Sequence, residues 1–299
     1  MEKGRKKRNR LRRISVSDVV IAAFLILCAL CVIIPFYNVV VISLATEKEY
    51  LERPLMLFPN DPTLASYLEL FRDGRILTGY KTTLMILAVA LPSGLFLTTS
   101  FAYGMSRPSY PGKKFIFYFV LVTMLFSGGI IPLYLLMRGL HLTNSIWSVV
   151  LASLVSTYYM ILMRSFFSSI PESLIESAKL DGAGEWRILF SIVLPLSTPI
   201  IATITLFIAV DRWNEWYNAM VFIQRGDLQP LQLVLRSIVI DSQIDEFVTA
   251  GGSIEMDRTN FSMGLKTAAI ICTMLPVMCV YPFVQKYFTK GIMLGAVKA

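Results

Sequence analysis

The chain is short of charge for a protein of its length. Only 16% of its 299 residues are Asp, Glu, Lys or Arg, whereas 55% are hydrophobic, and the mean hydropathy is +0.63. An ordinary globular domain carries about 25% charged residues, because its surface must be solvated. A soluble enzyme, a disordered protein and a secreted disulfide scaffold are therefore all disfavoured.

Histidine and cysteine are also scarce. The chain has one His, His141, and four Cys. Cys28 and Cys31 form a Cys-x-x-Cys pair inside an uncharged apolar run, where free cysteine packs as a small apolar residue. A structural zinc site needs four ligands, and a Ser-His or Cys-His pair needs a suitably placed His. We therefore expect no metal site, no catalytic residues and no cofactor bound by this chain.

Long apolar runs are what the sequence has in place of charge. A membrane-spanning helix needs about 20 mostly apolar residues. Six runs meet this requirement and contain no Asp, Glu, Lys or Arg: 19–44, 82–106, 115–137, 145–163, 188–210 and 267–285. The first run is too long for the apolar part of a cleaved signal peptide. The sequence thus predicts an all-α, polytopic membrane protein with six transmembrane helices.

The Lys and Arg residues predict the orientation of these helices. If the N-terminus is inside, the inner segments hold 17 Lys and Arg and 6 acidic residues, and the outer segments hold 11 and 14. Basic residues concentrate in cytoplasmic loops, so both termini are predicted to be cytoplasmic. Eight basic residues lie in 1–13, directly before an apolar run, which suits an anionic membrane surface better than nucleic acid. This orientation leaves long outer loops at 45–81 and 211–266 and an inner loop at 165–190.

Residues 169–199 overlap most of this inner loop, and their sequence predicts a short helix-turn-helix. Pro171 suits the first turn of a helix, and Glu176 and Lys179 are spaced to pair on its polar face. Gly182 is expected to end the helix, because glycine tolerates a positive φ. An amphipathic helix of this kind either rests on lipid or docks into a groove of a partner, and its small residues favour docking.

This stretch resembles the EAA loop of bacterial ABC importer permeases, and residues 169–199 are called the EAA segment below. The resemblance rests on Glu176-Ser177-Ala178-x-x-Asp181-Gly182-Ala183 followed by Ile192-x-Leu194-Pro195, with Ser177 where that family has Ala. In that family the loop is a coupling helix that sits in a cleft of a cytoplasmic ATPase. The resemblance implies an ATPase-coupling role for Glu176, Ser177, Ala178, Asp181, Gly182, Ala183, Leu194 and Pro195.

Other parts of the chain resemble the MalG-type carbohydrate branch of this family, and most closely the permeases of the LplC/YtcP type. The likeness includes the C-terminal stretch from Phe288 to Ala299 and residues 212–218. It implies a type I ABC importer permease fold in the bacterial cell membrane. A transmembrane permease domain at 19–290 would then lie between cytoplasmic tails at 1–18 and 291–299.

Two further sets of residues are candidates for contact with substrate or binding protein. Sugars are commonly held by aromatic stacking and hydrogen bonds, which Trp213, Asn214, Trp216, Tyr217 and Asn218 offer, although an aromatic belt at the membrane interface gives the same pattern. In the family, the loop before the last span can reach into the binding protein as a scoop. The resemblance implies that role for 241–262, with Gly251 and Gly252 at its centre.

The chain contains no Gly-x4-Gly-Lys-Ser/Thr phosphate-binding loop, so ATP and Mg are expected on a separate ATPase and the chain itself is not an enzyme. The resemblance implies five partners: a cytoplasmic ATPase dimer, a second homologous permease in a heterodimer, an extracytoplasmic solute-binding lipoprotein, a carbohydrate and membrane lipid.

An ion-coupled secondary carrier is an alternative, but it would need ionisable residues at membrane depth, which the six runs lack. A non-transporting membrane scaffold is another.

Overall fold

The computed structural model of the chain describes residues 16–107, 110–250 and 262–296. Every regular element in these ranges is a helix, as expected where a bilayer requires backbone groups to be satisfied within each segment. The α-helices are α1 (Val16–Ser43), α2 (Glu47–Glu52), α3 (Ala65–Arg72), α4 (Arg75–Ser106), α5 (Lys113–Leu125), α6 (Ile130–Gly139), α7 (Ile146–Ala152), α8 (Thr157–Phe167), α9 (Glu172–Leu180), α10 (Glu185–Ile188), α11 (Leu194–Leu196), α12 (Thr198–Trp213), α13 (Tyr217–Phe222), α14 (Leu231–Ala250) and α15 (Ser262–Ala296).

Three of these helices are each long and apolar enough to cross a membrane. They are α1, α4 and the Ser262–Pro282 part of α15, and they match the first, second and sixth predicted runs. Helix α1 packs against α15 and leaves most of its large apolar side chains exposed, for example Phe24 and Ile34. Such a surface is stable only in contact with lipid or with another membrane subunit.

The other three predicted runs are not single straight helices. Helices α5 and α6 meet at 109°, α7 and α8 at 50°, and residues 185–196 meet α12 at 88°. Each bent pair meets the same criteria of length and apolar composition when its two helices are counted together, so the described part of the chain has three single spanning helices, and up to six spans if each bent pair crosses the membrane. The apolar composition continues across each bend, so the runs alone do not show where the bends lie.

The bend before α12 has a local cause. Pro199 in the first turn of α12 has no N–H and cannot continue the helical hydrogen bonds from α11. The Thr198 hydroxyl instead donates to the Pro195 carbonyl at 2.8 Å, which satisfies a group that the bend would otherwise leave unpaired. Residues 189–193, just before α11, form a π-helical turn.

Helix α4 is at the centre of the packing and contacts α8, α12 and α14. One buried cluster joins α4, α8 and α12 to the EAA segment, and its members include Met163, Phe167, Ile188 and Ile204. A second cluster joins α3, α4, α14 and α15 through Ile76, Leu231 and Ala268. The EAA segment is therefore attached to the same core as the central membrane helix.

The long segment between the fifth and sixth predicted runs contains helices. Helix α13 and the 20-residue α14 occupy much of 211–266, and Leu231, Val234 and Ile238 of α14 are buried against the second cluster. The Leu231 backbone N–H donates to the Thr83 hydroxyl of α4 at 2.9 Å, so the start of α14 is fixed to the membrane core. The predicted scoop residues Gly251 and Gly252 lie outside the described residues.

Candidate functional site

Helix α9 carries the first half of the predicted coupling motif, and its end is a tight, fully hydrogen-bonded turn. Gly182 has φ +76°, the left-handed conformation that glycine adopts without strain. The Gly182 N–H donates to the Lys179 carbonyl at 3.0 Å, and the Ala183 N–H donates to the Ala178 carbonyl at 2.9 Å. These two bonds form a Schellman motif. At the other end, α9 begins at Glu172, so Pro171 is the N-cap residue and lies just before the first turn rather than in it.

The two faces of α9 differ sharply in exposure. Ile175 is buried, and Ala178 and Ala183 are half-buried against the first core cluster. Glu176, Ser177, Asp181 and Gly182 are exposed. Leu180 projects into solvent with 89% of its surface exposed, and Leu174 is also exposed. The helix is thus anchored on one side and presents an unpartnered surface with apolar residues on the other.

Lys179 does not pair with Glu176, and that sequence prediction was wrong. Its ammonium group lies 2.7 Å from Glu185 Oε1, on the far side of the Gly182 turn. Glu185 Oε2 in turn accepts a hydrogen bond of 2.5 Å from the Tyr103 hydroxyl of α4. One carboxylate therefore connects the end of α9 to the central membrane helix.

The second half of the motif lies further along the chain, at the bend before α12. Leu194 is half-buried against the first core cluster, and Pro195 is exposed. The structure therefore gathers residues 176–183 at one turn and places Leu194 and Pro195 beyond the π-helical turn. The motif therefore spans a surface turn and the bend that follows it along the chain.

The predicted substrate residues lie between the end of α12 and the start of α13, and they contact different neighbours. Trp213 lies edge-on to Tyr80 with ring centroids 6.2 Å apart, and its Nε1 donates to the Thr273 carbonyl at 3.4 Å. It packs between α4 and α15. Trp216 is partly covered by the Arg236 guanidinium, 4.5 Å from the ring centroid, and Tyr217 lies edge-on to it.

The two asparagines of this set are held by polar neighbours. The Asn214 side-chain amide donates to the Val210 carbonyl at 3.0 Å, and its oxygen accepts from Gln232 at 3.3 Å. Asn218 donates to Glu215 through both its backbone N–H and its side-chain amide, each at 3.0 Å. The five predicted residues therefore do not converge on one cavity.

Sequence reasoning missed the ion pair at the centre of this region. Arg212 and Glu215 are both 8% exposed, and their charged groups are 3.3 Å apart. Arg212 also donates to the Ser153 hydroxyl between α7 and α8. A buried charge is tolerated only when it is paired and hydrogen-bonded, and here both conditions are met. The sequence does contain a signal for this ion pair, because Arg212 and Glu215 are oppositely charged, three positions apart, and follow closely after an apolar run.

A cavity of about 270 Å³ lies next to this ion pair, between α4, α8 and α12. Its polar lining consists of Ser153, Ser156, Tyr159, Asp211 and Arg212. The Tyr159 hydroxyl donates to Asp211 Oδ2 at 2.6 Å. A carboxylate, a guanidinium and several hydroxyls in one cavity offer both donors and acceptors, which suits a ligand rich in hydroxyl groups. Within the described residues, no group of three or more His, Cys, Asp or Glu is arranged to hold a metal ion.

Comparisons with a family model and with known proteins agree on one family for this chain. Residues 62–294 match the family described as "binding-protein-dependent transport system inner membrane component". The chain is 38% identical to the polygalacturonan/rhamnogalacturonan transport system permease protein YtcP of Bacillus subtilis (strain 168), over 94% of this chain and 98% of that protein. It is 35% identical to the protein LplC of the same organism, over 89% of each.

A solved structure agrees in fold. A chain from the crystal structure of a bacterial ABC transporter involved in the import of the acidic polysaccharide alginate superposes with a TM-score of 0.82 and 29% identity, over 92% of this chain and 98% of that one. This structural match confirms the expected type I permease fold. The matched family is described as a membrane component of a transport system and not as an enzyme. The chain belongs to the family of binding-protein-dependent transport system inner membrane components, the permeases of ABC importers.

Proposed function

We propose that this chain is one of two permease subunits of an ATP-driven importer that passes an oligosaccharide from an external binding protein to the cytoplasm. The observation that carries the proposal is the turn of the EAA segment, which is anchored to the membrane core on one side and unpartnered on the other. The relatives support a carbohydrate substrate, since one is described as a polygalacturonan/rhamnogalacturonan permease and another neighbour imports alginate.

The exposed side of α9 is proposed to dock into a cleft of a cytoplasmic ATPase, which binds ATP and Mg. Leu180 supports this role, because a leucine that is 89% exposed gains about 1.5–3 kcal/mol when it is fully buried. The Schellman turn supports it as well, since a turn closed by two backbone hydrogen bonds transmits a displacement without deforming. Both termini of the permease are then on the cytoplasmic side.

Movement of the docked helix is proposed to reach the membrane helices through Glu185. Lys179 and Tyr103 bind the two oxygens of this carboxylate, so a shift of α9 pulls on α4. Helix α4 packs against α8 and α12, each of which belongs to a bent span. Bends of this kind are positions at which a span can change its angle while its helices stay intact.

The oligosaccharide is proposed to pass near the cavity beside Arg212. Asp211, Tyr159 and Ser156 line that cavity and provide hydrogen-bonding groups for sugar hydroxyls. Trp216 and Tyr217, both partly exposed, are the aromatic residues nearest in sequence that are available for stacking. One six-span subunit provides only part of a pathway wall, and a second homologous permease in a heterodimer and an external solute-binding lipoprotein complete the proposed assembly.

The docking of α9 is tested with a matched pair of leucine substitutions. Leu180 and Leu55 are 89% and 88% exposed, and Leu55 lies in a loop predicted to be on the opposite side of the membrane. The wild type, Leu180→Asp and Leu55→Asp are expressed with their native neighbours, extracted in mild detergent, and analysed by mass spectrometry for bound subunits.

We expect the ATPase to copurify with the wild type and with Leu55→Asp, and to be lost from Leu180→Asp. The second permease should remain bound in all three. Retention of the ATPase by Leu180→Asp at the wild-type level would overturn the docking role of α9.

A further inference from the structure

A basic cavity lies at the start of α5, and none of its lining residues belongs to the EAA segment or to the Arg212–Glu215 ion pair. Its volume is about 550 Å³. Lys113, Lys114 and Arg164 contribute its positive charge, and Tyr110, Phe117 and Tyr118 contribute aromatic walls. Neither the coupling role nor the proposed sugar pathway uses these residues.

The cations are held in place by neutral groups. Arg164 Nε donates to the Met105 carbonyl at 3.0 Å, and the guanidinium lies 4.4 Å from the centre of the Phe117 ring. The Lys113 ammonium donates to the Arg107 carbonyl. A guanidinium has five N–H donors and an ammonium three, so most of the donors of these two groups remain available to a ligand.

No carboxylate neutralises this cluster within the described ranges. None of Arg107, Lys113, Lys114 and Arg164 has an acidic side chain within ion-pair distance in that part of the chain. Glu185 is close enough to influence Arg107, but its two oxygens are bound by Tyr103 and Lys179. Several like charges held together raise one another's energy, and an anion bound among them lowers it.

The surroundings of the cavity indicate the kind of anion. Helix α5 belongs to a proposed span and leaves Phe115, Tyr118 and Phe119 more than 60% exposed, which is an apolar surface suited to acyl chains. Phe115 and Phe119 stack on each other with ring centroids 6.3 Å apart. The basic groups lie at the end of this surface, where a headgroup would be. Basic pockets between spans on the cytoplasmic side bind anionic lipid headgroups.

We propose that this cavity binds the phosphodiester headgroup of an anionic phospholipid, with Lys113, Lys114 and Arg164 around the phosphate and the acyl chains along α5. The inference rests on the proposed orientation, which places this end of α5 in the anionic cytoplasmic leaflet. It assigns the chain a specific lipid site that joins the α4–α5 connection to Arg164 of α8.

The site is tested by native mass spectrometry of the whole transporter complex titrated with phosphatidylglycerol or phosphatidylcholine. The variant is Lys113→Gln/Arg164→Gln. The control is Arg138→Gln, which removes one exposed positive charge at the opposite predicted membrane face. Arg164→Lys is added as a conservative variant, and thermal unfolding shows whether each protein is folded.

We expect the wild type and Arg138→Gln to retain phosphatidylglycerol over phosphatidylcholine. Loss of about fivefold in affinity per removed cation, or about 25-fold for the double variant, is expected from the attraction of one Lys or Arg to an anionic surface. Arg164→Lys should keep most of the binding. Millimolar inorganic phosphate should not displace the lipid, because it lacks the acyl chains that α5 holds.

Equal binding of phosphatidylglycerol by the wild type and the folded double variant would overturn the proposal. Displacement by inorganic phosphate alone would overturn the lipid assignment as well. If the double variant does not fold, the same comparison is made with Lys114→Gln, which removes an exposed lining residue. Copurification of the ATPase is recorded in the same spectra, so failure of the lipid site and failure of the proposed coupling are distinguished.

Discussion

Tyr103 in the central membrane helix donates a hydrogen bond to Glu185 at the far side of the EAA turn, across 82 positions of the sequence. The other oxygen of Glu185 binds Lys179 at the end of α9. Glu185 therefore forms a polar side-chain connection between the proposed ATPase-docking helix and the transmembrane core.

Removal of this connection is predicted to uncouple transport from ATP hydrolysis. A hydrogen bond to a charged group contributes about 1.5–3 kcal/mol when it is shielded from water, and the Glu185 side chain is half exposed, so Tyr103→Phe should lower the amount of sugar transported per ATP by at most about tenfold. Glu185→Gln should act in the same direction, because it also loses the ion pair with Lys179. ATPase activity and sugar uptake are measured together in proteoliposomes.

Tyr134→Phe is the control for this experiment, since Tyr134 stacks on Phe222 and its hydroxyl makes no hydrogen bond to any residue that the structure describes. ATPase copurification should be unchanged in every variant. An unaltered ratio of transport to hydrolysis in both Tyr103→Phe and Glu185→Gln would contradict the connection.

The turn after α9 is predicted to need glycine at position 182 but not at position 184. Gly182 has φ +76° and Gly184 has φ −73°, and an added Cβ meets no atom within 4 Å at either position. Gly182→Ala should therefore cost about 1–2 kcal/mol from backbone strain alone, whereas Gly184→Ala should cost little. The measurement is ATPase retention during detergent purification, and equal retention by the two variants would argue against a rigid turn.

Helix α4 is predicted to tolerate a methyl group at Gly104 but not at Gly94. A Cβ on Gly94 would lie 2.7 Å from the Leu154 carbonyl oxygen, in the break between α7 and α8, whereas a Cβ on Gly104 meets nothing within 4 Å. Gly94→Ala should lower the thermal unfolding temperature by several degrees, and Gly104→Ala should leave it unchanged or raise it, because alanine favours a helix over glycine by about 1 kcal/mol. Similar melting temperatures for the two variants would show that α4 and the break are not in close contact.

Removal of one partner of the Arg212–Glu215 ion pair is predicted to destabilise the fold more than replacement of both partners by apolar residues. Removing one partner of a buried ion pair leaves an uncompensated charge and costs about 3–5 kcal/mol, whereas an apolar pair of similar volume is often neutral. Glu215→Ala should therefore unfold at a lower temperature than Arg212→Met/Glu215→Leu. The opposite order of melting temperatures would mean that the pair is solvated rather than buried.

Features encoded by local sequence were predictable. Three of the six apolar runs coincide with single helices long enough to span a membrane, because such helices need a minimum apolar length, and the spacing from Glu176 to Pro195 identifies the family. Gly182 was predicted to end α9, and the structure confirms it, since the left-handed turn depends on one residue type.

Features set by contacts between distant residues were not predictable. Lys179 was predicted to pair with Glu176, three residues away on its own helix, but the fold brings Glu185 closer. Arg212 was predicted to lie in an outer loop, yet packing against Ser153 of another span buries it. The angles and positions of the bends in three apolar runs were not predictable either, because Gly and Pro within such runs do not by themselves show whether a helix kinks or breaks.

The central claim is that transport through this chain is driven by ATP on a partner subunit. The most direct measurement is uptake of an oligosaccharide into proteoliposomes that contain the whole complex, together with its binding protein, with ATP supplied on the side of the EAA segment. We expect uptake that requires ATP and the binding protein and is unchanged by ionophores that collapse proton and sodium gradients. Uptake that continues without ATP and stops on addition of an ionophore would contradict it.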